Sequence, residues 1–212
     1  MSIDRTVVLL PSLGTSSAQT AAQKTALEGV APVLIPDISF SETAPVILED
    51  PALRVLAAIS TARSDQVVII GHGWGSMVAL QIAATHGERV AALMLSTNAR
   101  LETIVVRSIF HSLLSILPAT VVQQLGGRPA DVAALLDRVR PVDFKPLAER
   151  VQAPALVVVG ERDVANRGPS GVLAGSLPLG NLRVVPKAGP EWQVQQPHLI
   201  AQLLVEFVSS SS

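Results

Sequence analysis

Residues 67–96 constrain the fold more than any other stretch of this chain. An apolar run, "VVIIG", leads into a helix-like segment, "WGSMVALQIAATH", and then into a second apolar run, "VAALMLS". Gly71, Gly73 and Gly75 stand at alternate positions around the junction of the first run and the helix. Because glycine lacks a Cβ, this spacing is typical of a sharp turn that neighbouring backbone approaches closely. The stretch predicts a strand, a tight turn, a helix and another strand.

The same alternation runs through most of the chain. Further apolar runs rich in Val and Ile are "RTVVLL", "APVLIPD", "ALVVVG" and "NLRVVP", and near-continuous runs of this kind are typical of strands buried on both faces. Helices are predicted at residues 15–28, after Ser and Thr caps, at 50–63, with Pro51 in the first turn, and at 74–86. We therefore expect an α/β fold, a mostly parallel sheet covered by helices on both faces.

One segment departs from the alternation. Residues 101–150 contain helical patterns such as "ETIVVRSIFHSLLSILP" and "PADVAALLDRVRP" but no convincing strand. We expect a single core built from residues 1–100 and 151–208, a small helical lid at 101–150, and a frayed tail at 209–212. The apolar lid residues serve either simple packing or the roof of a ligand pocket.

Composition argues against several classes of function. The net charge of −1, with no run of Lys and Arg, argues against nucleic-acid binding. The absence of cysteine removes disulfides, thiolate catalysis and Cys-ligated zinc, and no spaced His, Asp and Glu cluster indicates a metal. "GHGWGS" has Ser76 where a dinucleotide-binding loop has its last glycine, so no cofactor is predicted.

Location and partners follow from weaker signals. The N-terminal apolar run is too short for a signal sequence, and residues 108–127 contain His, Gln, Ser and Pro, which makes them a poor membrane span. We expect a cytoplasmic protein with no membrane partner. Charged residues make up 16% of the chain, below the roughly 25% usual in soluble domains. Either a homodimer or protein interface through the lid, or simply an Ala- and Val-rich composition, explains this deficit.

The glycine turn resembles the nucleophile elbow of the α/β-hydrolase family, and the resemblance extends along nearly the whole chain. It includes "VVLLPSLGTSSAQ", "ERVQAPALVVVGERDVANR" and "LRVVPKAGPEWQVQQPHLIAQLLVEFV". The "SLGT" of residues 12–15 is most similar to the enol-lactonase branch. The family's first hairpin would precede Met1, so we expect a version trimmed at the N-terminus. The resemblance implies a ligand pocket at the carboxyl ends of the strands, under the lid.

The resemblance also shows which working parts of the family are missing. The triad acid falls on Asp163 in "GERD", the nucleophile position on Gly73, and the histidine position on Pro190 in "KAGPEWQ". The "HG" that opens the family's oxyanion loop is replaced by Pro11 and Ser12. Glycine and proline supply neither a nucleophile nor an imidazole. The triad is therefore degenerate, and an ordinary Ser-His-Asp hydrolase is not predicted.

Other parts of such a site do not depend on those side chains. The backbone N–H groups of Trp74 and Leu13 are the expected oxyanion donors, and they would still hold a carbonyl or enolate oxygen. Glu191 and Trp192 follow the vacated histidine position and offer a carboxylate and an aromatic wall. His111 is the histidine of the predicted lid that would reach over the pocket.

Several nearby side chains have a structural interpretation beside the functional one. His72 is expected to be a core histidine and Ser76 a close-packing or helix-end hydroxyl. Ser12 either stabilises its turn or contacts a ligand. Asp163, without its histidine, either caps the loop after its strand, with Arg162 or Arg167 as ion-pair partner, or acts as an acid or base.

Three functions remain open, and whether the chain is an enzyme at all is one of the questions. The first is a protein that binds a small apolar carbonyl compound, or a partner, without hydrolysis. The second is a cofactor-free isomerase, cyclase or lyase that uses the oxyanion hole with Asp163 or Glu191. The third is a residual esterase or lactonase with displaced groups, for instance Ser12 with His111.

Overall fold

The computed structural model describes residues 3–12, 15–39, 48–62, 64–96 and 144–210. Its six strands are β1 (Val7–Leu10), β2 (Val33–Leu34), β3 (Val67–His72), β4 (Val90–Ser96), β5 (Ala155–Gly160) and β6 (Gly180–Val185). They form one sheet in the order β2-β1-β3-β4-β5-β6, and all neighbouring strands are parallel. The predicted parallel sheet is confirmed.

Helices connect these strands. The helices in the described part of the chain are α1 (Ser17–Glu28), α2 (Glu49–Ile59), α3 (Trp74–Thr85), α4 (Lys145–Ala148), α5 (Val164–Ser176), α6 (Trp192–Gln195) and α7 (Pro197–Ser210), and a 3₁₀ turn lies at Gly87–Arg89. A capping box starts α1: the Ser16 hydroxyl accepts from the Gln19 N–H at 3.3 Å, and the Gln19 side chain accepts from the Ser16 N–H at 2.8 Å. The three helices that the sequence predicts within residues 1–100 are present, with ends that differ by a few residues.

Alternate residues of each central strand face opposite layers. In β1, Val8 and Leu10 belong to one buried cluster, with side chains of α2, α3, α4 and α5. Val7 and Leu9 belong to a second cluster, with side chains of α1, α6 and α7. Both faces of the sheet are thus covered by helices, as expected for parallel strands joined by crossover connections.

Strand β6 differs from its prediction. The run "NLRVVP" reads like the buried strands, yet Asn181, Leu182 and Arg183 are exposed. Within the described part of the chain, β6 pairs with β5 alone and forms an edge of the sheet. Burial on both faces was therefore the wrong expectation for this strand, because an edge strand lacks a neighbour on one side.

The turn between β3 and α3 is built as the glycine spacing predicts. Gly73 has φ 52° and ψ −114°, a left-handed region that favours glycine. A Cβ on Gly75 would lie 2.0 Å from the carbonyl oxygen of Leu10, and one on Gly71 would lie 2.7 Å from the backbone of Ser76. The turn consequently packs directly on the carboxyl end of β1.

This packing occurs where the strand order reverses. The helix after β1 lies on one face of the sheet and the helix after β3 on the other. A crevice opens at the carboxyl ends of the strands at such a switch point, and ligands of α/β proteins bind there.

Most of the predicted lid, residues 101–143, lies outside the described residues. The described end of that segment forms α4, and Phe144 and Ala148 are buried in the core cluster of α3. No helix of the described chain combines the length and apolar character that crossing a membrane requires.

The close approach at Gly75 yields a stability prediction. We expect Gly75→Ala to lower the free energy of unfolding by about 3 kcal/mol, because the new methyl group meets backbone rather than a flexible side chain. Gly87→Ala is the matched control, since a Cβ there meets nothing within 4 Å, and its effect should stay within about 0.5 kcal/mol. Urea unfolding of the two variants measures the difference. Equal stabilities would contradict this account of the turn.

Candidate active-site cleft

A small cleft of about 40 Å³ lies at the carboxyl ends of the strands, with room for roughly three water molecules. Its lining residues are Ser12, Gly73, Ser96, Val158, Val159, Asp163, Asn166, Pro190, Glu191, Trp192 and Gln193. Six of these are residues that the sequence assigns to the site: Ser12, Gly73, Asp163, Pro190, Glu191 and Trp192. The fold brings these six together from four separate segments of the chain.

The elbow presents backbone where a hydrolase would present its nucleophile. Gly73 lines the cleft and its N–H donates to the Ser96 carbonyl at 2.8 Å. The next residue, Trp74, begins α3, and its buried indole N–H donates to the Ile38 carbonyl at 3.0 Å. The Trp74 side chain thus anchors the loop after β2 and does not line the cleft.

Asp163 is buried and caps the start of α5. One carboxylate oxygen accepts from the Asn166 side-chain amide at 2.6 Å, and the other accepts from the Asn166 backbone N–H at 3.3 Å. A carboxylate at this position stabilises the helix through its unsatisfied N–H groups and its dipole. Within the described ranges, neither Arg162 nor Arg167 forms an ion pair with it. Asn166, and not the expected arginine, is the hydrogen-bond partner of Asp163.

Pro190 and Glu191 form the exposed rim of the cleft. Pro190, which the sequence assigns to the histidine position, lies on this rim and offers no imidazole. Glu191 directly precedes α6, and its backbone carbonyl accepts from the N–H groups of Val194 and Gln195 at 3.0 Å each, whereas its side chain does not cap that helix. A carboxylate therefore stands at the mouth of the cleft.

Behind the rim, Trp192 packs against a buried histidine. The rings of Trp192 and His72 meet edge to face with their centroids 6.3 Å apart. His72 Nδ1 shares a hydrogen bond of 2.8 Å with the Ser96 hydroxyl, while Nε2 has no hydrogen-bond partner among the described residues. Burial lowers the pKa of His72 to about 4, so the ring is neutral at pH 7.

The Ser96–His72 pair was not identified from the sequence. The sequence did contain a signal for this pair, because His72 and Ser96 stand at the ends of two consecutive apolar runs. The parallel register of β3 and β4 then places the two residues side by side. A serine and a histidine at this distance resemble a nucleophile and its base. The base must accept the serine's proton, however, and protonated His72 would be a buried cation without a carboxylate partner in the described structure. The pair ties two strands together and is unsuited to hydrolysis.

Other hydroxyls and amides near the cleft support the backbone. The Ser76 hydroxyl lies 2.7 Å from the Gly71 carbonyl oxygen and 3.0 Å from that of Ser96. The Ser12 carbonyl accepts from the Thr15 N–H at 3.2 Å. Gln193, which the sequence did not single out, is buried, and its Oε1 has no partner among the described residues. An unsatisfied acceptor of this kind favours a water or a ligand donor in the cleft.

Two predicted site residues, Leu13 and His111, lie outside the described residues, so their roles stay predictions. Of the remaining histidines, His86 follows α3, with Nδ1 2.9 Å from the Thr85 hydroxyl, and His198 is exposed on α7. In the described ranges, no group of three or more His, Asp or Glu side chains is arranged to hold a metal ion.

The family is shown by a match to the alpha/beta hydrolase fold family over residues 5–128, and this chain belongs to that family. Solved structures with the same fold include the enol-lactonase from Burkholderia xenovorans LB400, which is 23% identical with a TM-score of 0.72 over 98% of this chain and 92% of that one. A thermophilic esterase from Thermogutta terrifontis is 20% identical, with a TM-score of 0.75 over 99% and 91% of the two chains. MenH from S. aureus is 15% identical, with a TM-score of 0.76 over 99% and 95%.

The buried histidine makes stability depend on pH. The folded-state pKa of His72, about 4, lies below the roughly 6.5 of an unfolded histidine. As pH falls from 6.5 to 4, the unfolded chain takes up a proton that the folded chain does not, so about 3 kcal/mol of stability is lost. We expect His72→Asn to remove this part of the pH dependence in urea unfolding. His198→Gln, at an exposed position, should retain it, and identical profiles for the two variants would refute the assignment.

Proposed function

We propose that this protein binds a small carbonyl compound in the cleft and does not hydrolyse it. The observation that carries the proposal is the intact elbow with Gly73 at its tip: the backbone has the strained φ of 52° that would project a nucleophile, but there is no side chain to project. Pro190 at the rim lacks the imidazole that would activate one.

The loss of turnover that follows removal of a catalytic serine or histidine supports binding over hydrolysis. In serine proteases, removal of the serine or the histidine lowers turnover on the order of a million-fold, and what remains comes from oxyanion stabilisation and binding. Ser96 and His72 are the residues that could stand in for a missing nucleophile and its base. They share a hydrogen bond in a buried site that disfavours the protonated imidazole. The remaining capacity of the site is to bind and orient a ligand.

A carbonyl compound is favoured by the floor of the cleft. The N-terminus of α3, which begins with Trp74 directly after Gly73, carries a partial positive charge that attracts a carbonyl or enolate oxygen. Val158, Val159 and Trp192 supply apolar lining beside it. Two of the similar structures are named as a lactonase and an esterase, and the substrates that these names imply contain an ester carbonyl.

A second candidate is a cofactor-free isomerase, cyclase or lyase acting on the same class of ligand. The position of Glu191 favours it, because its carboxylate stands at the mouth of the cleft without capping α6. Asp163 is the weaker choice of base, since both of its oxygens already accept hydrogen bonds from Asn166. Loss of turnover in Glu191→Gln would separate this candidate from simple binding once the ligand is known.

Ligand binding is tested by native mass spectrometry of gently purified protein. We expect a small-molecule adduct on the wild type and its loss in Pro190→Trp, because an indole on the rim blocks the cleft. Pro32→Trp is the matched control: it is exposed and directly precedes β2, at the opposite end of the strands. A wild type without adduct, or an adduct that survives Pro190→Trp, would contradict binding in this cleft.

The absence of hydrolysis is tested with p-nitrophenyl acetate. The wild type should hydrolyse it no faster than buffer, whereas Gly73→Ser combined with Pro190→His should be on the order of 10²-fold faster, because a general base contributes about that factor or more. Each single variant should remain at the wild-type rate, since a nucleophile and its base act together. Hydrolysis by the wild type above the buffer rate would overturn the proposal.

A further inference from the structure

Exposed apolar side chains are concentrated at one edge of the molecule. The large hydrophobic residues that remain exposed in the described structure are Leu53, Val164, Val172, Leu179 and Leu182. Leu53 lies on α2, but the other four belong to α5, to β6 or to the turn between them. Single exposed apolar residues are ordinary, whereas a group of them on one surface marks an interaction site.

The backbone of this edge is also open. The other edge of the sheet, β2, has only two residues, and very short edge strands are a common protection against pairing. Strand β6 has six residues and pairs only with β5 in the part of the chain that the structure describes. Its outer side therefore offers a row of N–H and C=O groups to another strand.

Both faces of β6 provide grooves beside the open backbone. Toward α5, Leu182 and Val184 line a groove of about 370 Å³ together with Val159, Val164, Gly168 and one charged residue, Arg167. Toward α7, Asn181, Arg183 and Glu206 line a groove of about 430 Å³. The first groove is mainly apolar, and the second carries one ion pair, between Arg183 and Glu206 at 3.8 Å.

We propose that this edge, formed by β6 and α5, binds a second copy of the chain through antiparallel pairing of the two β6 strands. A two-fold axis perpendicular to the sheet makes the same surface serve both partners. It also places α5 beside α5 of the second copy on the same face of the extended sheet. Val164 and Val172 are then covered, and the open positions of Gly168, Gly171 and Gly175, where a Cβ would meet nothing within 4 Å, allow the two helices to approach closely.

The charge of Arg183 favours one register of the two paired β6 strands over the other. With the axis at Leu182, this residue lies opposite Leu182 of the second copy and Arg183 lies opposite Asn181. With the axis at Arg183, the two arginines face each other directly, and like charges at such positions destabilise a sheet. Arg183 and Glu206 of each copy retain their ion pair in the first register, so the contact carries no net charge from these groups. The Leu182-centred register is the one that the side chains favour.

The cysteine-free sequence provides a direct test by disulfide crosslinking. Leu182→Cys, oxidised with copper phenanthroline at micromolar protein concentration, should give mostly covalent dimer on non-reducing gels. Leu53→Cys is the matched control, because Leu53 is 61% exposed and Leu182 only 44%, so random collisions would crosslink the control faster. Crosslinking of Leu53→Cys at an equal or greater rate would overturn the proposal.

The mass in solution gives an independent measurement. Light scattering after size-exclusion chromatography should show a dimer for the wild type and for Leu53→Arg, and a monomer for Leu182→Arg. A monomeric wild type at tens of micromolar, or a dimer that persists in folded Leu182→Arg, would overturn the proposal. If Leu182→Arg does not fold, the crosslinking pair decides the question. The inference does not rest on the proposed function, because neither Leu53 nor Leu182 lines the cleft.

Discussion

The contact between Gly75 and the carbonyl of Leu10 sets the geometry on which the rest of this structure depends. A Cβ at residue 75 would lie 2.0 Å from that oxygen, so α3 packs against the end of β1 only because glycine stands there. The same approach forces the chain through the positive φ of Gly73. It brings the carboxyl ends of β1, β3 and β4 together and thereby forms the floor of the cleft.

Residue 73, at the tip of this turn, is a glycine and presents no side chain to the cleft. The elbow is needed to join a central strand to the helix that covers it, and that requirement is independent of any nucleophile. Polar side chains around the turn form hydrogen bonds with nearby residues of the protein. Asp163 accepts two hydrogen bonds from Asn166, and His72 bonds to Ser96, which holds two neighbouring strands in register.

Central and edge strands show where sequence reasoning succeeds and fails. The runs "VAALMLS" and "ALVVVG" correspond residue for residue to β4 and β5, because central strands covered by helices on both faces are near-continuously apolar. The run "NLRVVP" looks similar, yet Leu182 is exposed in β6. Asn181 and Arg183 distinguish this run locally from the two central ones, whereas the exposure of Leu182 depends on which strands and helices become its neighbours. The Asp163–Asn166 cap, by contrast, lies three residues apart and was within reach of the sequence.

By itself, the sequence determined the order of the described strands and helices, the glycine elbow and the family. These properties reside in the spacing and chemistry of residues close together in the chain. The tertiary structure alone decided that His72 meets Ser96 and Trp192, and that β6, within the described residues, has a strand neighbour on one side only. Those contacts join residues far apart in sequence, and they arise from strand register and crossover packing, which local spacing does not encode.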